Sequence, residues 1–166
     1  QNGFGNVELI ADAVGSERTA CAITAHGSTE LERGHVLHAG EGPTLVASLN
    51  PGAEKRTRIA GAFLEECGIE VRTVEALRSM IWSKLVINAA INPLTAVSDV
   101  CNGGIVEDPV LRKTMEKTVS EAAAVARAEK ISLMYVNEVE EVEKVCRATR
   151  DNISSMLQDI RKGRRT

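Results

Sequence analysis

Apolar positions first recur at helical spacing over Val7 to Val14, where Val7, Ile10, Ala11 and Val14 share one side of a short predicted helix. The period then changes to that of strands. The runs ACAITAHGST, GHVLHAG and PTLVASL are separated by ELERG and GEG, whose glycines suit tight turns, and together they predict three strands in an antiparallel meander. Residues 49–56, LNPGAEKR, read as a surface loop. Lys55 to Cys67 carries Ile59, Ala60, Phe63 and Leu64 on one face and stops before Gly68, a residue suited to the left-handed position after a helix. Ile69, Val71 and Val74 then predict one more strand.

From Glu75 onward the period is helical throughout. Ala76 to about Asp99 forms a long apolar helix in which Pro93 removes an amide donor and crowds the Ala89 carbonyl, predicting a kink or break near Asn92. Asp108 followed by Pro109 opens a second helix, with Leu111, Met115, Val119, Ala122 and Ala126 along one side. Asn137 with Glu140 resembles a capping box ahead of Val139, Val142 and Val145, and a last helix is expected from about Ser154 to Gly163. The chain therefore divides into a mixed part, 1–74, and an all-helical part, 75–166. The fold class is α+β. With three or four strands and no parallel β-α-β repeat, the first part reads as the tail of a larger fold. The start QNGFGN, without Met, and the end RRT give the same expectation of a piece of a longer protein.

Within the long helix, SKLVINAAINPLTAV is nearly all apolar, yet Lys84, Asn88 and Asn92 interrupt it at a spacing of four. Each step of four drifts only about 40° around a helix, so the three side chains share one narrow sector. One explanation is the solvent face of an amphipathic helix. Against it, solvent faces favour long charged residues, asparagine is a poor helix former, and the flanking Ile81, Leu85, Ile87, Ala89, Ile91 and Thr95 offer no broad exposed surface. The line is better explained as lining a cleft. There Lys84 is a proton donor whose pKa apolar walls would lower, and the carboxamides of Asn88 and Asn92 would hold an oxygen-rich small molecule.

Composition narrows the alternatives. A net charge of -3 gives no general attraction to nucleic acid or anionic lipid, and with only Trp82, Tyr135, Phe4 and Phe63 as aromatics, a base-stacking platform is not expected. Cys21, Cys67, Cys101 and Cys146 are far apart with no C-x-x-C pair, which reads as reduced thiols in a cytoplasmic protein. The longest apolar window, Met80 to Val97, is interrupted by Lys84, Asn88, Asn92 and Pro93, so no membrane span is expected. His35 and His38, three apart on a strand, point to opposite faces, and no metal site is expected. The run Arg161 to Arg165 suits either a helix C-terminus or a phosphate.

The segments WSKLVINAAINPLTAV, CNGG and NISSMLQDIRKGRRT, together with QNGFGN and TAHGSTELERGHVLHAGEGPT, resemble the ketopantoate reductase (2-dehydropantoate 2-reductase) family over essentially the whole chain. The resemblance implies a Rossmann domain binding NADPH, followed by a helical domain like the C-terminal domain of 6-phosphogluconate dehydrogenase. It implies Lys84 as general acid towards a small 2-oxo acid, Asn88, Asn92, Asn102 and Ser155 as substrate contacts, and Asn2 and Ser28 beside the cofactor. A homodimer is compatible with it. Two departures stand out: the family's G-x-G-x-x-G turn is absent, and so is the Glu that follows R-x-T. This polypeptide by itself is therefore expected to lack reductase activity. The competing readings are a reductase of another 2-oxo acid and a non-catalytic helical interaction or dimerisation module.

Overall fold

The computed structural model describes residues 2–166 and divides into two compact units, one ending at Ile81 and one from Trp82 to Thr166. The first unit opens with helix α1 (Asn6–Val14) and a turn of 3-10 helix (Ser16–Arg18). Four strands follow, β1 (Ala20–Thr24), β2 (Gly27–Glu32), β3 (His35–Gly40) and β4 (Thr44–Ser48), then helix α2 (Glu54–Glu66) and strand β5 (Val71–Thr73).

The antiparallel region is present, with one strand more than expected and divided between two sheets. β1 and β2 are separate because the chain breaks at Ala25-His26. β2 and β3 pair with each other as a hairpin, turned at Arg33-Gly34 where Gly34 takes φ 84°. β4 returns antiparallel to β1, setting Cys21 opposite Ala47, and β5 then joins β4 in parallel. β4, α2 and β5 thus form a single parallel β-α-β connection, which the strand pattern did not reveal. The segment expected as a loop, 49–56, is also more ordered: Pro51–Ala53 is a 3-10 turn capped by Asn50 Oδ1, and α2 begins at Glu54.

α2 does not pack through the apolar face that its sequence suggests. Ile59 and Phe63 are 61% and 63% exposed, while Thr57 and Gly61 are buried. The reason is close approach. A methyl group on Gly61 would lie 3.4 Å from Val71 Cγ1 and 3.7 Å from Val46 Cγ2, so the helix backbone rides directly on β4 and β5. Cys21, Ala47, Met80 and Ile81 form this unit's core.

The second unit consists of helices α3 (Leu77–Ser98, entering from the first unit), α4 (Asn102–Glu107), α5 (Pro109–Ala128), α6 (Glu138–Ala148) and α7 (Ser155–Arg161). Val86, Ala90, Ile91, Ile105, Met115, Val119, Val142 and Cys146 form its core. The predicted caps form: Asp108 Oδ1 accepts from the amides of Val110 and Leu111, and Asn137 Oδ1 accepts from Glu140. α3 runs through Pro93 without a break. At 22 residues it is long and apolar enough to cross a membrane, but here Val86, Ala90 and Ile91 bury it in a protein core. All four cysteines are free. His38 pairs with His26, their ring nitrogens 2.9 Å apart, rather than with His35, and among the described residues no cluster of three or more His, Cys, Asp or Glu could hold a metal.

Candidate active site

Lys84, Asn88 and Asn92 all lie on α3, and all three are half-buried. From Met80 to Asn92 no residue of that helix is exposed, so the polar line is not a solvent face. Burial lowers the Lys84 pKa from its ordinary value, the direction that makes its ammonium group a better proton donor. Among the described residues no carboxylate pairs with Lys84, and the Asn88 amide makes no hydrogen bond. Both groups are available to a ligand.

The helix is pinned immediately before the lysine. Ser83 is buried, its hydroxyl accepts from the Met134 amide at 2.8 Å, and its carbonyl accepts from the Tyr135 hydroxyl at 3.1 Å. Burial, reinforced by Glu138 and Glu141, raises the Tyr135 pKa and keeps that phenol a donor.

Asn92 meets α7. Its Nδ2 donates to Ser155 Oγ at 3.4 Å, a long contact that leaves both groups able to turn towards a bound molecule. Of the two adjacent serines, Ser154 is buried and caps α7 by accepting from the Leu157 amide, whereas Ser155 is exposed.

Asn102 opens α4, a helix that the sequence pattern did not reveal because it is short and contains two adjacent glycines. Its formation depends on the turn before α7. The Asn102 and Gly103 amides donate to the carbonyls of Asn152 and Arg150, each at 3.0 Å. A methyl group on Gly103 would come within 2.8 Å of Arg150 Cβ, which explains the first glycine of CNGG. The Asn102 side chain does not touch the polar line. Its Nδ2 donates to Thr149 Oγ1 at 2.8 Å, and Thr149 gives its own proton to the Val145 carbonyl at 2.7 Å, which fixes the orientation of the amide. Asn102 Oδ1 is left buried with no donor.

Asn2 and Ser28 lie in the first unit, and both are exposed. The Asn2 carbonyl accepts from Asn6 Nδ2, and the next turns use Gly3 and Gly5 at φ 101° and 89° to enter α1. Ser28 sits on β2 opposite His38. The side chains of Asn2 and Ser28 make no hydrogen bond among the described residues. The pyrophosphate of a dinucleotide is another matter. The parallel connection here enters α2 through Asn50-Pro51-Gly52-Ala53, which is not a glycine-rich cradle.

The family described as "Ketopantoate reductase PanE/ApbA C terminal" matches residues 76–166, and "Ketopantoate reductase PanE/ApbA" matches residues 1–51. The 2-dehydropantoate 2-reductases of Halobacterium salinarum and Archaeoglobus fulgidus are each 34% identical over all 166 residues, with 54% and 55% of their own lengths covered. Among solved structures, 2-dehydropantoate 2-reductase from Geobacter metallireducens superposes with a TM-score of 0.91 at 28% identity, covering 100% of this chain and 56% of that one. D-mandelate dehydrogenase, in a ternary structure with NADH and anilino(oxo)acetate, gives 0.87 at 27% identity, covering 99% and 54%. The chain spans about half the length of the curated relatives it matches. With a family match over residues 76–166, more than half of the chain, the chain belongs to the ketopantoate reductase family.

Proposed function

We propose that this chain supplies the proton donor and the substrate-binding residues of a reductase that converts ketopantoate (2-dehydropantoate) to pantoate with NADPH, a step of pantothenate synthesis. The observation that carries the reading is the uncommitted ammonium of Lys84 in line with two carboxamides on a half-buried helix face. NADPH, when bound, supplies hydride to the carbonyl carbon. Lys84 gives its proton to the 2-oxo oxygen as negative charge develops there. Asn88 and Asn92 hold the substrate's oxygens along the helix, the unpartnered Asn102 Oδ1 accepts a hydrogen bond from a substrate hydroxyl, and Ser155 donates to the carboxylate. Asn2 and Ser28 contact the cofactor. Since no pyrophosphate cradle is present in residues 1–166, these residues alone are proposed to be inactive.

A second reading keeps the chemistry and changes the substrate and cofactor. The TM-score to D-mandelate dehydrogenase with NADH nearly equals that to the ketopantoate reductase, which favours considering another 2-oxo acid and NADH. The longer protein containing this chain, assayed with ketopantoate and with phenylglyoxylate against both NADPH and NADH, separates the two. Preference for ketopantoate and NADPH by kcat/KM supports the first reading, and the reverse preference supports the second. No turnover with any 2-oxo acid overturns both.

A further inference from the structure

The polar line on α3 does not end at Asn92. Thr95 and Asp99 follow at spacings of three and four, so positions 84, 88, 92, 95 and 99 form one row along the helix. The last three each meet α7 or its cap. Asn92 reaches Ser155 at 3.4 Å, Thr95 Oγ1 lies 2.6 Å from Ser154 Oγ, and Asp99 Oδ1 accepts from Arg161 at 2.6 and 2.9 Å. The sequence pattern stopped at the asparagines because threonine is an ordinary helix residue with no chemistry of its own.

These contacts differ in what they can hold. The Asp99–Arg161 pair is exposed, where water and salt weaken it, and the Asn92–Ser155 contact is too long to fix either partner. Thr95 is fully buried and Ser154 is 6% exposed, so no water replaces their bond. A proton count gives it a direction. Ser154 Oγ accepts from the Leu157 amide and gives its own proton to Thr95 Oγ1, while Thr95 gives its proton to the Asn92 carbonyl at 2.9 Å, with the Ile91 carbonyl at 3.1 Å. One threonine hydroxyl thus links the turn of α3 that carries Asn92 to the first turn of α7, which carries Ser155.

We infer that Thr95 is a positioning residue for the carboxylate subsite: through Ser154 it sets the first turn of α7 so that the Ser155 hydroxyl stays beside the Asn92 amide. The inference rests on the proposed function for the identity of the ligand, and on the hydrogen bonds alone for the positioning.

The test uses Thr95→Val, which keeps the shape and removes the hydroxyl, and Thr95→Ser, which restores it. In the longer protein, Thr95→Val should raise the KM for ketopantoate about tenfold, with the KM for NADPH and kcat changed less than about twofold, and Thr95→Ser should recover most of the loss. In the 166-residue chain, Thr95→Val should speed hydrogen exchange of the Leu157 amide about tenfold while core amides such as Val119 keep their rates. Where Thr95→Val fails to fold, Thr95→Ala removes the same hydroxyl while leaving the Ser154 cap on the Leu157 amide intact, and takes its place. An unchanged ketopantoate KM, an equal rise in both KM values, or no rescue by serine overturns the inference. If the wild-type protein reduces no 2-oxo acid, the enzymatic reading fails, and the Leu157 exchange rate still decides the positioning: acceleration supports it and an unchanged rate overturns it.

Discussion

Replacing Gly103 with alanine would place a carbon 2.8 Å from Arg150 Cβ and 3.1 Å from both Arg150 Cα and Arg150 O. Comfortable carbon contacts begin at about 3.5 Å, so α4 or the turn at Arg150 must retreat by roughly 0.7 Å. Two of the three overlaps are with backbone, which cannot rotate away. The same retreat stretches the hydrogen bonds that the Gly103 and Asn102 amides donate to the Arg150 and Asn152 carbonyls, which hold the start of α4 in place. Overpacking of this kind costs about 1–3 kcal/mol, and the better helix propensity of alanine returns at most about 1 kcal/mol. The net expectation is a loss of roughly 1–2 kcal/mol, read as a lower urea midpoint at unchanged slope by far-UV circular dichroism. A stability equal to or above wild type would refute the reasoning, because it would mean that α4 and the Arg150 turn are not in close contact.

Two further outcomes follow from the same structure. Asp108→Ala removes an acceptor shared by two amides at 2.7 and 3.0 Å and should cost about 1 kcal/mol in a urea titration, with Asp108→Asn recovering most of it. Lys84→Met should stabilise the chain at neutral pH, since burial lowers the lysine pKa from 10.5 in the folded state. Between that lowered value and 10.5 the unfolded chain holds more protons than the folded one, so wild-type stability should rise with pH through the window. The advantage of Lys84→Met should therefore shrink above the folded pKa and vanish beyond the unfolded one, as urea midpoints across that range would show.

The helical half was readable in detail because its signals are local. Asp108-Pro109 and Asn137 are caps whose hydrogen bonds close within three residues, and Met115, Val119 and Ala126 are buried as their period requires. The first half was less readable because its pairing is not local. β1 finds β4 across the intervening hairpin, and α2 packs through Thr57 and Gly61, whose small size permits close approach but registers weakly in a hydrophobic pattern. The Lys84, Asn88 and Asn92 line was visible because it broke an apolar run. The contacts of Thr95, Ser154 and Thr149 were not legible: they span 47 to 59 residues of chain, and isolated hydroxyls carry no spacing signal.

The central claim is that the Lys84 ammonium is the proton donor for carbonyl reduction. The most direct measurement is steady-state NADPH oxidation by the longer protein with saturating ketopantoate, comparing wild type with Lys84→Ala. The account predicts a fall in kcat of about 10²–10⁴-fold with native circular dichroism and an unchanged KM for NADPH. A variant that keeps more than about a tenth of the wild-type kcat would contradict it.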